Sequence, residues 1–303
     1  MGKTLGRLRR LPEIECLFPK TLSEALSLLR KHNGAARAIA GGTDLLPKMK
    51  RREIAPNYLI DLKGIAGLHF IRYDREKGLR IGAATTLNEI LESSVVRKRY
   101  PILTEAVSQM ASAQIRNMGT ITGNLCNAVP SADSAPPLIG LGAKLKLVGP
   151  KKARTVLVED FFKGPDKTVL GPVELVAEIQ IPPPRSGEFG TYLKHTLRRE
   201  MDLAVVGVAA YLSVDSKRNV CKDVKIVMGA VAPVPMRAKK GEEILKGKPI
   251  DGDLIESAAK IASEEAKPID DIRSSAEYRR EMVKVLTKRA IQQCLERRKG
   301  VSG

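Results

Sequence analysis

Three consecutive prolines, Pro182-Pro183-Pro184, constrain this chain's architecture more than any other stretch. Proline has no amide hydrogen and a fixed φ, so it cannot continue the interior of a sheet. The apolar run 174–181, of strand length, must stop there, and the chain divides. At 303 residues it is long enough for two domains. Downstream, residues 191–197, 204–214 and 224–231 read as strands, and 253–298 reads as helix broken at Pro268. The fold class is α+β, with one domain over 1–182 and a smaller one over 185–298.

Upstream of the prolines, strands and helices are short. Thr21-Leu-Ser-Glu24 has the form of a capping box and predicts a helix over 21–32, closed by Asn33-Gly34. A strand at 35–40 runs into Gly41-Gly42-Thr43-Asp44, followed by a helix at 45–50. Strands follow at 58–61, 68–73 and 79–82, then helices at 86–93 and 101–114. A second glycine-marked turn covers 118–124. Residues 143–148 and 154–158 form a hairpin around Gly149-Pro150.

The glycine turns bear most directly on function. Consecutive glycines after a strand admit positive φ and leave no Cβ in the way, so successive amides can converge on an anion such as a pyrophosphate. A plain structural turn is the competing local reading. Neither turn is a P-loop, and neither fits GxGxxG. His32, His69 and His195 share no neighbourhood with a nucleophile and carboxylate, and His32 suits a helix C-cap. Asp133 reads locally as a turn cap, and Lys194 with Arg198-Arg199-Glu200 as a charged strand edge.

The net charge of +18 suits either a solvated basic surface or a face for a more acidic partner. With 4% aromatic residues and no Trp, the chain does not read as a base-stacking nucleic-acid binder. Cys16, Cys126, Cys221 and Cys294 are far apart, with no CxxC and no Cys/His pairing at metal-ligand spacing, which argues against a zinc or iron–sulphur site wholly within this chain. No apolar run is long enough to span a bilayer, and the N-terminus lacks a continuous apolar signal region. The chain reads as soluble and cytoplasmic.

Five segments in order carry a specific resemblance. They are Phe18-Pro-Lys-Thr-Leu-Ser-Glu-Ala25, Ala40-Gly-Gly-Thr-Asp-Leu45, Ile81-Gly-Ala-Ala-Thr-Thr-Leu87, Gln114-Ile-Arg-Asn-Met-Gly-Thr-Ile-Thr-Gly-Asn124 and Lys194-His-Thr-Leu-Arg-Arg-Glu-Met-Asp202. Across almost its whole length the chain resembles the FAD-binding medium subunit of the xanthine dehydrogenase and carbon monoxide dehydrogenase family. The resemblance implies a vanillyl-alcohol-oxidase (PCMH) type flavin domain with subdomains at about 1–57 and 58–182, then a small α+β domain. It implies that Ile39, Ala40, Gly41, Gly42, Thr43, Asp44 and Leu45 wrap the FAD pyrophosphate. Thr120, Gly123 and Asn124, with Asn127 close by, would form the second half of the cradle. Asp133 would hold the ribityl or adenosine portion, Val176 would pack on the flavin ring and Lys194 would lie near its polar edge. Thr122 departs from the family, which has a glycine there; it implies a looser phosphate fit or a hydroxyl donor. No His or Cys falls inside the first cradle, which argues against covalent flavin attachment, although Cys126 is near the second.

By the same resemblance, a large molybdopterin-binding subunit oxidises the substrate. A small subunit with 2Fe–2S clusters passes the electrons to FAD, which delivers them to a soluble acceptor such as NAD or a quinone. A free-standing FAD oxidoreductase and a non-catalytic basic binding module are the alternatives.

Overall fold

The computed structural model describes residues 11–198, 201–215 and 218–301. Arg199 and Glu200 of the fifth segment lie outside the described residues. The first layer is a parallel sheet of β1 (Glu15–Leu17), β2 (Ala36–Ile39) and β3 (Tyr58–Asp61) in the order β1-β3-β2. It is connected by α1 (Leu22–Lys31) and α2 (Leu45–Lys50). Thr21 starts α1 by accepting the Glu24 amide at 3.1 Å. The Glu24 carboxylate turns to the Lys20 amide, so only half of the expected capping box forms. His32 is the C-cap, its ring 3.9 Å from that of Tyr58.

The second sheet comprises β4 (Ile71–Asp74), β5 (Gly78–Gly82), β6 (Lys144–Val148), β7 (Ala153–Leu157) and β10 (Leu175–Ile181). A small hairpin, β8 (Phe162–Gly164) and β9 (Lys167–Thr168), precedes β10. The sheet order is β4-β5-β10-β6-β7, every neighbour antiparallel. The latest strand takes the centre because its Leu-Val-Ala-Glu-Ile-Gln-Ile run is buried on both faces. Its one buried charge, Glu178, is paired with Arg80.

Between β5 and β6 run α3 (Leu87–Glu92), α4 (Ser94–Arg99), α5 (Pro101–Ser108), α6 (Ala113–Arg116), α7 (Ile121–Asn127) and α8 (Ala135–Gly140). The helix expected over 101–114 is broken. Ala111 sits at φ 47, and Ser112 caps a fresh helix. Arg116 holds the break by donating to the carbonyls of Met110 at 2.8 Å and Ala111 at 3.2 Å. The glycine turn is also shorter than expected, because Thr120 is already the N-cap of α7. Strand β4 starts late, since residues 66–68 form a 3-10 turn.

Beyond the prolines, β11 (Glu188–His195), β12 (Val206–Asp215), β13 (Val220–Gly229) and β14 (Met236–Arg237) form an antiparallel meander. Three helices cover it: α9 (Lys239–Leu245), α10 (Gly252–Glu265) and α11 (Ala276–Val301). Val208, Ala210 and Leu212 of β12 join the core under these helices, whereas Ala209 faces the core of the preceding domain. Both faces are therefore buried, which is why β12 is almost uniformly apolar. Each fully buried Leu, Ile or Val side chain contributes about 1.5–3 kcal/mol.

Candidate functional site: a cleft between two glycine turns

A cleft of about 650 Å³ lies between the first layer and the helices of the second. Both glycine turns line it. An added Cβ at Gly41 would stand 2.1 Å from the Met118 carbonyl oxygen and 2.7 Å from Gly119 Cα, so the turns touch through their backbones. Gly42 has φ +72°, a left-handed conformation that glycine adopts without strain. Among the described residues, the amides of Gly41, Gly42, Thr43 and Asp44 donate to no protein group. Four successive unpaired amides at a strand-to-helix turn make an anion-binding concavity.

The second turn is built differently. Thr120 Oγ1 takes the Gly123 amide at 3.0 Å, and the Thr120 carbonyl takes the Asn124 amide at 3.0 Å. These amides are committed to α7, so the second turn supplies shape and side chains while the first supplies donors. Thr122 does not line the cleft. Its side chain is buried and its hydroxyl has no partner, so the expected hydroxyl donor points away from the cavity.

Asp133 occupies the wall nearer the C-terminal domain. Tyr192 Oη donates to its Oδ1 at 2.6 Å, and Lys194 Nζ to its Oδ2 at 2.8 Å. Lys194 also donates to the carbonyls of Gln109 at 3.1 Å and Asp202 at 2.9 Å. Burial pushes the Asp133 carboxyl up, and the Lys194 ammonium and the two hydrogen bonds offset only part of that. Burial, followed by the Asp133 charge, raises the Tyr192 hydroxyl far above its ordinary range. Lys194 acts from behind Asp133, without itself lining the cleft, and Val176 sits in the core beneath it. The other twelve expected site residues all line it.

Among the further lining residues, Asp202 ends the fifth sequence segment, but the resemblance assigns it no role. Met110, Ala111 and Ser112 reach the cleft through the α5–α6 break. Asp202 and Leu203 come from the loop between β11 and β12, and Lys48 and Asp166 line the cleft as a contacting pair. Burial raises the Asp44 carboxyl against the opposing charge of Lys48. The Cys126 thiol, also on the wall, is pushed up to about 12 by burial, which keeps it protonated and a poor nucleophile. His32, His69 and His195 are absent from the lining; His195 instead faces Tyr278 at 3.3 Å. No group of residues able to hold a metal ion occurs among those described.

A cleft that combines open amide donors with mixed polar and apolar walls suits a dinucleotide bound through its diphosphate. Residues 12–184 match the family model for the FAD binding domain in molybdopterin dehydrogenase. Residues 191–294 match that for the CO dehydrogenase flavoprotein C-terminal domain. The chain belongs to the FAD-binding medium-subunit family of the molybdenum hydroxylases. Its cofactor is FAD.

The glyceraldehyde dehydrogenase medium chain of Sulfolobus acidocaldarius is 35% identical over 282 residues, 93% of this chain and 98% of that one. The carbon monoxide dehydrogenase medium chain of Afipia carboxidovorans is also 35% identical, over 93% of this chain and 96% of its own. The carbon monoxide dehydrogenase structure from Hydrogenophaga pseudoflava superposes with a TM-score of 0.91 at 33% identity, covering 95% of this chain and 99% of that one. Medium subunits of this family are components of oxidoreductases, and no helix among the described residues is long and apolar enough to cross a membrane.

Proposed function

We infer that this subunit carries electrons through FAD between partner-borne 2Fe–2S clusters and an external acceptor such as NAD or a quinone. The clusters belong to a small subunit, and a large molybdopterin subunit oxidises the substrate. Bound FAD supplies the exchange between one-electron and two-electron carriers. The observation that carries this reading is the composition of the cleft. It offers an anion cradle and a cavity of about 650 Å³, and among the described residues no hydroxyl or thiol nucleophile hydrogen-bonded to a base lines it. The free-standing oxidase alternative needs such a group beside the flavin.

In this reading residues 39–45 hold the diphosphate, and Thr120, Gly123, Asn124 and Asn127 complete the cradle. Asp133 orients a hydroxyl-bearing part of the cofactor, with Lys194 keeping that carboxylate in place. Val176 supports the wall behind the ring. Residues 1–182 form the flavin domain, and 185–298 form the domain that delivers Lys194 and Tyr192. The four cysteines are unpaired thiols, in keeping with a reducing, cytoplasmic setting.

The test is the absorption spectrum of the purified chain, with chromatographic identification of the released chromophore and assay of co-purifying molybdenum and iron. One FAD per chain, with molybdenum and iron entering only alongside larger and smaller partners, is the expected result. A flavoprotein that oxidises a small substrate at full rate with no partner would overturn the electron-transfer reading.

A further inference from the structure

The two walls of the cleft are joined by a side chain that neither glycine turn accounts for. Lys48 lies one helical turn beyond Asp44 on α2. Its Nζ donates to Asn127 Oδ1 at the end of α7, 2.8 Å away, and to Asp166 Oδ1 in the β8–β9 turn, 2.6 Å away. All three residues line the cofactor cleft. They are separated by 79 and 118 positions in sequence, so only the fold brings them together.

Stability does not explain this arrangement. The Asp166 side chain is 60% exposed, and an exposed ion pair is worth about 0–1 kcal/mol. Charge does. The cleft is lined by four carboxylates, Asp44, Asp133, Asp166 and Asp202, yet in the proposed reading it must receive a diphosphate dianion. Asp133 is paired with the buried Lys194, and Asp202 with the exposed Arg198. Arg37, the other lining cation, donates to the carbonyl of Ala36, its own neighbour. Of the remaining two carboxylates, Asp166 is paired with Lys48, whose charge also acts on Asp44, so the Lys48 ammonium brings a full positive charge beside both. Backbone amides contribute partial charges only, whereas a lysine ammonium meets phosphate as a whole point charge.

We propose that Lys48 is a cofactor-binding residue, the counter-cation of the FAD diphosphate, presented to the cleft by Asn127 and Asp166. This rests on the assignment of the cleft to FAD. Asp166 then competes with the cofactor for the ammonium, so removing its charge does not weaken binding.

The experiment is equilibrium titration of the flavin-stripped full chain with FAD, followed by flavin fluorescence, and competition by ADP, which retains the diphosphate but lacks the flavin. Wild type is compared with Lys48→Met, Lys48→Gln, Lys48→Arg and Asp166→Asn over a range of salt concentrations. Both neutral Lys48 variants are expected to weaken FAD and ADP about tenfold and to flatten the salt dependence, as loss of one charge-assisted contact requires. Lys48→Arg is expected to stay near wild type, and Asp166→Asn to bind at least as tightly as wild type. Neutral variants within about twofold of wild type would overturn the proposal while leaving the FAD assignment intact. A loss in Asp166→Asn equal to that in Lys48→Met would reduce Lys48 to a structural strap and overturn it equally. A wild-type chain that binds no FAD would instead sink the assignment of the cleft.

Discussion

An added Cβ at Gly41 would stand 2.1 Å from the Met118 carbonyl, whereas one at Gly42 would meet only the ends of Ile39 and Leu46. The adjacent glycines therefore answer to different constraints. Gly41 lets the two turns of the cleft touch, and Gly42 supplies the left-handed φ that turns its neighbours' amides inward. Gly41→Ala is expected to force the turns apart, losing roughly 1–3 kcal/mol of stability along with retained flavin. Gly42→Val places a β-branched residue in a left-handed conformation at a cost of roughly 1–2 kcal/mol and should purify without FAD. Denaturant midpoints and flavin absorbance read both effects; a folded Gly42→Val protein with full FAD would discard the cradle. Gly42 was legible from its sequence context, but the contact that demands Gly41 involves a turn 77 positions away and was not.

At the scale of elements, the tight turn between α10 and α11 shows how one buried cation organises a loop. Arg279, at 2% exposure, donates to Val205 O at 2.7 Å, Ala230 O at 3.1 Å and Asp271 Oδ1 at 2.8 Å. It thereby ties the start of β12, the end of β13 and the turn before α11 to one point. Desolvation alone would raise the Asp271 carboxyl, but the hydrogen bonds from Arg273 and the charges of Arg279 and Arg273 outweigh it. The group is held well below the usual carboxylate range. Its folded pKa is depressed, so its contribution is complete above the unfolded value of about 3.9 and disappears as pH falls through the lower folded value. Asp271→Asn is expected to cost about 3 kcal/mol at neutral pH, the low end for an uncompensated buried charge, since Arg279 keeps two carbonyl partners. Urea denaturation across pH checks this: the variant and wild-type stabilities should converge only in strong acid. A difference independent of pH would show that the carboxylate charge is not what matters.

At the scale of the whole molecule, the part of the chain beyond the prolines completes the cleft, adding Asp202 and Leu203 to its lining. Lys194 and Tyr192, both on β11, reach across to Asp133. Glu105 on α5 fixes the same strand by accepting from the Tyr192 amide at 3.1 Å and from Arg297 of α11 at 2.6 Å. Lys194→Met leaves Asp133 buried without its cation, which costs roughly 3–5 kcal/mol when a buried pair is broken from one side. The expected outcome is a lowered melting temperature together with weakened flavin binding, because the destabilised carboxylate lies on the cleft wall. Scanning calorimetry of flavin-loaded and flavin-free protein separates the two: unchanged melting with full flavin retention would show that the domains do not share this pair.

Local rules in the sequence already determined where most elements form. The Thr21 cap, the proline run after β10 and the apolar strands depend on residues close together in the chain, and backbone conformation responds to such neighbours directly. The two glycine turns were legible for the same reason. Tertiary structure decided which donors remain open. The Gly123 amide is taken by its own cap, Thr122 faces the core, and Lys194 works through Asp133 without lining the cleft. It also decided that α5 and α6 are separate helices, because the carbonyls at the break are held by Arg116. Lys48 illustrates the physical reason. In the sequence it is one of several basic residues near the end of a short helix; its role depends on Asn127 and Asp166, and only folding sets those distances.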